Sequence, residues 1–187
     1  MTYKLTLYDQ DDIAQLILIK HEFLSTNLVV YGGHGAPLVA KDLAAANISV
    51  ILTGNRGAPD SWEKRNCLAG PPLSPSPAKI LSEAGVLFAL AVRGDSKIHG
   101  LAQEAGWAGA FAGLEEKEAI KLVSTNFERI LRVDKEGGKS GEDERVYGGD
   151  FVIWNGNPLK GEGSVIAAVQ DDGILGDCWP DSEGSVL

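Results

Sequence analysis

The chain has 187 residues, room for one domain of ordinary size with a real core. Its 26 acidic residues outnumber 17 basic ones, a formal charge of −9, which argues against a general nucleic-acid-binding surface. Hydrophobic residues make up 44% and recur in segments, which argues against disorder throughout. The longest apolar run, Ala84–Val92, falls well short of the roughly 20 residues a membrane-spanning helix needs. Residues 1–20 carry Asp9, Asp11 and Asp12 and lack the layout of a signal peptide. Cys67 and Cys178 are too few for a disulfide framework, so a reducing, cytoplasmic setting is expected.

The segment 9–25 reads as an amphipathic helix. Ile13, Leu16, Ile17, Lys20, Phe23 and Leu24 recur at helical spacing, all apolar but the lysine, with Asp9 or Asp11 as a cap. Three strand–helix units follow. Leu28–Tyr31 is a short apolar strand ended by Gly32-Gly33-His34-Gly35, and Pro37 suits the first turn of a helix running to about Ala46. Ile48–Leu52 is the second strand, ended by Thr53-Gly54 and a proline-rich loop from Asn55 to Pro77. A short helix over Ala78–Ala84, stopped at Gly85, leads to the third strand, Val86–Val92, ended by Arg93-Gly94-Asp95. Continuous apolar strands suit a parallel sheet covered on both faces, and the alternation of strand and helix points to an α/β fold.

A helix with Ile98, Leu101, Ala102, Ala105, Ala108 and Ala112 on one face ends near Gly113. Glu115 and Glu116 favour the start of the next, and Thr125-Asn126-Phe127-Glu128 has capping-box spacing for another. Lys135–Arg145 reads as a glycine-rich, charged loop. The pattern then turns to β, with strands at Asp150–Asn155 and Ser164–Gln170, a turn at Asn155-Gly156-Asn157-Pro158, and Ile174-Leu175 beyond Asp171-Asp172-Gly173. From Gly161 onward there are six acids and no basic residue, which reads as a solvated acidic end. The expected division is 1–133, 134–149 and 150–187.

Chemistry is expected at the carboxyl ends of the strands, where parallel strands fix their loops. His34, among three glycines, is a candidate metal ligand or base, or simply a loop histidine in a tight turn. Asp95 is a candidate metal ligand and general base, and equally a helix cap. Thr53, Asn55, Arg56 and Arg93 border the same ends, while His99 lies within a predicted helix and faces solvent. Gly32–Gly35 has some likeness to a phosphate cradle but lacks the full glycine spacing and any Lys or Arg. Cys67 has no nearby histidine, and Trp62, Trp107, Trp154 and Trp179 form no stacking ladder. No H-x-H, H-E-x-x-H or C-x-x-C motif occurs.

The order of segments carries a family likeness. Glu118-Ala119-Ile120, then Ser124-Thr125-Asn126-Phe127-Glu128-Arg129-Ile130-Leu131, a glycine-rich gap, and Gly149-Asp150-Phe151-Val152-Ile153-Trp154-Asn155-Gly156-Asn157-Pro158-Leu159 resemble the C-terminal signature of the amidohydrolase superfamily. Upstream, Tyr31-Gly32-Gly33, Leu38-Val39-Ala40, Val50-Ile51-Leu52 and Ala84-Gly85-Val86 look like its imidazolonepropionase-like and N-acetylglucosamine-6-phosphate deacetylase-like members. The likeness covers roughly residues 10–180, most specifically Asp150–Leu159.

The resemblance implies a distorted TIM-type (β/α) barrel with one or two divalent metals, often zinc, whose activated water attacks a non-peptide C–N bond of a small molecule. This chain would supply the last three strand–helix units, followed by part of the accessory β-sandwich. Asp95 matches the eighth-strand aspartate, metal ligand and proton acceptor, and His34 is a second candidate ligand. The H-x-H pair of the first barrel strand has no counterpart, and Ala36-Pro37 stands where relatives carry a histidine. The chain therefore reads as the C-terminal portion of a larger enzyme, inactive alone. The alternatives are a non-catalytic remnant that self-associates or needs a partner chain, and an α/β module binding a phosphorylated ligand at Gly32–Gly35. No nucleic-acid or membrane partner is expected.

Overall fold

A computed structural model describes residues 2–54, 61–92, 100–132, 151–170 and, for the backbone, 173–177. It forms two units, Met1–Asp134 and Lys135–Leu187. Among the described residues the first holds a four-stranded sheet and the second a three-stranded one.

The first sheet is wholly parallel. Strands β1 (Thr2–Leu7), β2 (Asn27–Gly32), β3 (Ser49–Leu52) and β4 (Phe88–Leu90) lie in the order β1-β2-β3-β4. The α/β fold is as the sequence leads one to expect, but the sheet has four strands where three were read. The added strand, β1, does not have the signature of its neighbours. In β2 and β3 successive residues are buried on both faces, so they read as apolar runs. Thr2–Leu7 alternates polar and apolar residues and stays largely accessible at the sheet margin, with Tyr3, Lys4 and Thr6 exposed.

Helix α1 (Gln10–Glu22) is capped by Asp9, whose Oδ1 accepts the Asp11 N–H at 2.9 Å. Ile13, Leu16 and Ile17 are buried as expected, but Phe23 and Leu24 are exposed. The stripe ends instead on Lys20. Its buried ammonium donates to Leu24 O and Thr26 O, both at 2.6 Å, and so closes the turn into β2. A 3₁₀ turn at Ala36–Val39 precedes α2 (Ala40–Ala45), and α3 (Pro77–Glu83) starts at a proline with the Ser76 hydroxyl accepting the Lys79 N–H.

Beyond β4 come α4 (Leu101–Ala112), α5 (Glu116–Lys121) and α6 (Thr125–Leu131). The capping box expected at Thr125 is not made. Ser124 is the N-cap position and makes no side-chain cap, because its hydroxyl donates back to Ile120 O at 2.8 Å. Ile130 of α6 packs on Val29, Ile51 and Ala89, which share one face of the sheet, with Phe127 and Leu131 beside it. Alternate residues Leu28, Val30, Val50, Leu52 and Leu90 are buried on the other face.

The α5–α6 corner also covers the outer margin of β4. Leu90 donates its N–H to Leu122 O at 2.7 Å, and Asn126 Nδ2 donates to Phe88 O at 2.8 Å. A strand edge that would otherwise present unpaired groups is thus blunted.

In the second unit, β5 (Phe151–Trp154), β6 (Val165–Gln170) and β7 (Gly173–Asp177) form an antiparallel sheet in that order. The turn read at Asn155–Pro158 is the start of a longer connection through residues 155–164. There Asn157 Oδ1 accepts the Leu159 N–H, and Asn155 Oδ1 accepts the Ser164 N–H. The loop read at Lys135–Arg145 and the end of the acidic tail, 178–187, lie outside the described residues. No helix among the described residues is long and apolar enough to cross a membrane.

Candidate functional site

Because the four strands run in one direction, the loops that follow them gather at one end of the sheet. Tyr8 and Asp9 follow β1, Gly33 and His34 follow β2, Thr53 and Gly54 follow β3, and Ala91 follows β4. The β2 loop is tied down by backbone bonds. Gly33 N–H donates to Leu7 O and Gly35 N–H to Tyr8 O, both at 2.8 Å. Gly32 (φ +101°) and Gly33 (φ +60°) take left-handed conformations that favour glycine. A Cβ on Gly32 would also stand 2.6 Å from Tyr8 Cε1, so the Tyr8 ring lies directly on the Gly32 backbone.

His34 is half-buried between two neighbours. The Tyr8 ring meets it edge-on, with centroids 5.4 Å apart and planes at 64°. On the other side, a Cβ at Gly54 would collide with His34 Nε2. The glycine two residues beyond β3 therefore leaves the space the imidazole occupies. Thr53 Oγ1 is buried beside it, with no hydrogen-bond partner among the described residues.

The loop after β3 returns across this end through a 3₁₀ turn, Trp62–Lys64. Lys64, only 4% exposed, places Nζ 5.4 Å from the centroid of the Tyr8 ring. Arg65 pairs with Asp9, Nη2 to Oδ2 3.3 Å, and its guanidinium lies 5.0 Å over the Trp62 ring. Asp9 therefore caps α1 with one oxygen and holds Arg65 with the other. Exposed Glu63 has its carboxyl pulled below the ordinary value, first by a hydrogen bond from its own backbone N–H and then by the Ser61 hydroxyl. Its contribution to the turn is therefore present above the ordinary carboxylate pKa and fades as pH falls through the lowered one.

Of the residues singled out from the sequence, His34 sits at this end. Asp95, His99, Asn55, Arg56 and Arg93 lie outside the described residues. Cys67 is half-buried and makes no disulfide among the described residues. In the alternative reading of Gly32–Gly35 as a phosphate cradle, two of the donors are spent, since the Gly33 and Gly35 amides are committed to Leu7 and Tyr8 carbonyls. Tyr8, Lys64 and Arg65 escaped the sequence reading. Tyr8 could have been found as the residue ending an alternating strand, whereas nothing local links Lys64 or Arg65 to β1. Among the described residues no three His, Cys, Asp or Glu side chains converge. One imidazole beside a phenol ring and a buried ammonium do not by themselves fit a divalent metal.

Over 133 residues, 67% of its length, the chain is 35% identical to the amidohydrolase tasK of Hapsidospora irregularis. The chain belongs to the amidohydrolase superfamily. It spans 13% of the length of that curated relative. The crystal structure of an amidohydrolase from Thermotoga maritima MSB8 has the same fold over 95% of this chain and 44% of its own, with a TM-score of 0.71 at 22% identity. No family model matches this amidohydrolase-superfamily chain.

Proposed function

We propose that the chain is part of a hydrolase acting on a non-peptide C–N bond of a small molecule, and that its first unit is four consecutive strand–helix units of a TIM-type barrel. The observation that carries this reading is the strand order. Sheets that bind ligand at a switch point reverse direction partway, whereas barrel strands are added one after another on the same side, as β1 to β4 are. His34 at the carboxyl end then faces the barrel mouth, where such enzymes keep their chemistry.

In this reading His34 and Asp95 are the chain's contributions to the reacting centre, with Asp95 the base that takes the proton of the attacking water. A divalent ion, zinc in the first instance, is the cofactor this reading brings. Two donors fall short of the tetrahedral set zinc takes, so the rest must come from outside these residues. The chain alone is then inactive, and its partner is the remainder of a barrel. Zinc titration followed by calorimetry is expected to show one weak site, lost in both His34→Ala and Asp95→Ala. Hydrolysis of amide and cyclic-amide substrates is expected to stay at the solvent background. Efficient hydrolysis by the chain alone, or zinc binding indifferent to both substitutions, overturns the reading.

One observation favours a second reading, a non-catalytic remnant. Two outer groups of β4 that a next barrel strand would pair, Leu90 N–H and Phe88 O, are already taken by Leu122 and Asn126. Hydrogen exchange separates the two, since a Leu90 amide protected as strongly as the core of β3 means that this margin stays closed.

A further inference from the structure

We propose that Lys64 is a positioning residue for His34, acting through the ring of Tyr8. Lys64 comes from the loop after β3, yet it crosses to the end of β1, with β2 between the two strands. Its ammonium lies 5.4 Å from the Tyr8 centroid, and the next residue, Arg65, holds Asp9, the neighbour of Tyr8. Two adjacent cations thus grip two adjacent residues.

The grip has a direction. The backbone of Gly32 lies against one part of the Tyr8 ring, and His34 meets it edge-on. His34 in turn rests on Gly54. An aromatic face attracts a cation through its quadrupole, more strongly where water is excluded, and Lys64 is buried. The cation holds the ring, and the ring with Gly54 holds the imidazole. A ligand or base on a glycine-rich turn otherwise has rotamer freedom that weakens any directed bond it makes. The proposal draws on the functional reading only to give His34 a task. Its test reads the imidazole itself and needs no substrate.

The experiment uses the full chain with ¹³C-labelled histidine. The His34 ring resonances are recorded by NMR, and diethylpyrocarbonate modification of His34 and the exposed His21 is followed by peptide mass spectrometry. In Lys64→Met and Tyr8→Leu the His34 resonance is expected to move toward its unfolded position and His34 modification to speed up several-fold, with His21 unchanged. Lys64→Arg, which keeps a cation over the ring, is expected to restore both. Should Lys64→Met fail to fold, Arg65→Gln at an exposed position serves in its place, and the His34 resonance should move in the same direction. An unmoved His34 in the folded variants, or one that answers to Tyr8→Leu but to neither Lys64→Met nor Arg65→Gln, overturns the proposal.

Discussion

At the scale of single residues, glycines and one lysine carry most of the information about the site. Gly54 is needed because the His34 imidazole fills the place of its Cβ. In Gly54→Ala the ring must turn aside. The fold should persist at a cost of about 1–3 kcal/mol, typical of overpacking. The His34 NMR resonance is expected to shift further than any resonance of the second unit. Lys20 is a different case. Its ammonium satisfies two carbonyls of the turn between α1 and β2. Lys20→Met preserves the stem but leaves Leu24 O and Thr26 O without that donor. A loss of roughly 1–3 kcal/mol is expected in urea unfolding, the cost of leaving partly buried polar groups unmet.

At the scale of elements, the sheet is held by what covers it. Leu43 of α2 is fully buried, and Leu43→Ala is expected to cost about 2–5 kcal/mol in chemical unfolding, a transfer loss plus a cavity. Asn126 tests a subtler contact. It donates to Phe88 O from the start of α6, and with Leu122 it closes the margin of β4. Asn126→Ala is expected to destabilise by roughly 1–3 kcal/mol and to speed exchange of the Leu90 amide more than that of the Val30 amide. Equal acceleration at both sites would mean that the corner adds only to global stability. These elements were largely readable. Ile13, Leu16 and Ile17 keep helical spacing, and the runs ending in Tyr31, Leu52 and Val92 overlap strands β2, β3 and β4. The capping box does not form because a hydroxyl before α6 can either accept an N–H of the first turn or donate to a carbonyl, and the folded corner turns that of Ser124 to Ile120 O.

At the scale of the whole molecule, the relation to larger relatives matters most. The chain covers 44% of the solved amidohydrolase and 13% of tasK. One margin of its parallel sheet is covered by the α5–α6 corner, while at the other β1 exposes Tyr3, Lys4 and Thr6. Lys4 lies 4.6 Å from the Tyr31 ring and places a charge on that outer strand, a device that discourages edge-to-edge pairing. Lys4→Val is expected to raise light scattering and sedimentation of the purified chain at physiological or higher salt, where the repulsion from its net charge of −9 is screened and no longer keeps copies apart. If Lys4→Val stays as monomeric as the parent, the β1 margin is protected by something other than its lysine.

The amino-acid pattern by itself determined the α/β class, strands β2 to β4, most helices and the family, since burial on both faces and helical periodicity are written into neighbouring residues. It also marked His34, because a histidine among glycines after an apolar run is a local feature. Only the tertiary structure decided that an alternating segment at the start is a fourth parallel strand, since an edge strand need not be apolar throughout. It also decided that Lys64 and Arg65, more than fifty residues from Tyr8 and Asp9, close over them. Contacts of that kind come from the parallel course of the strands, which brings the ends of distant segments together, and no local pattern records them.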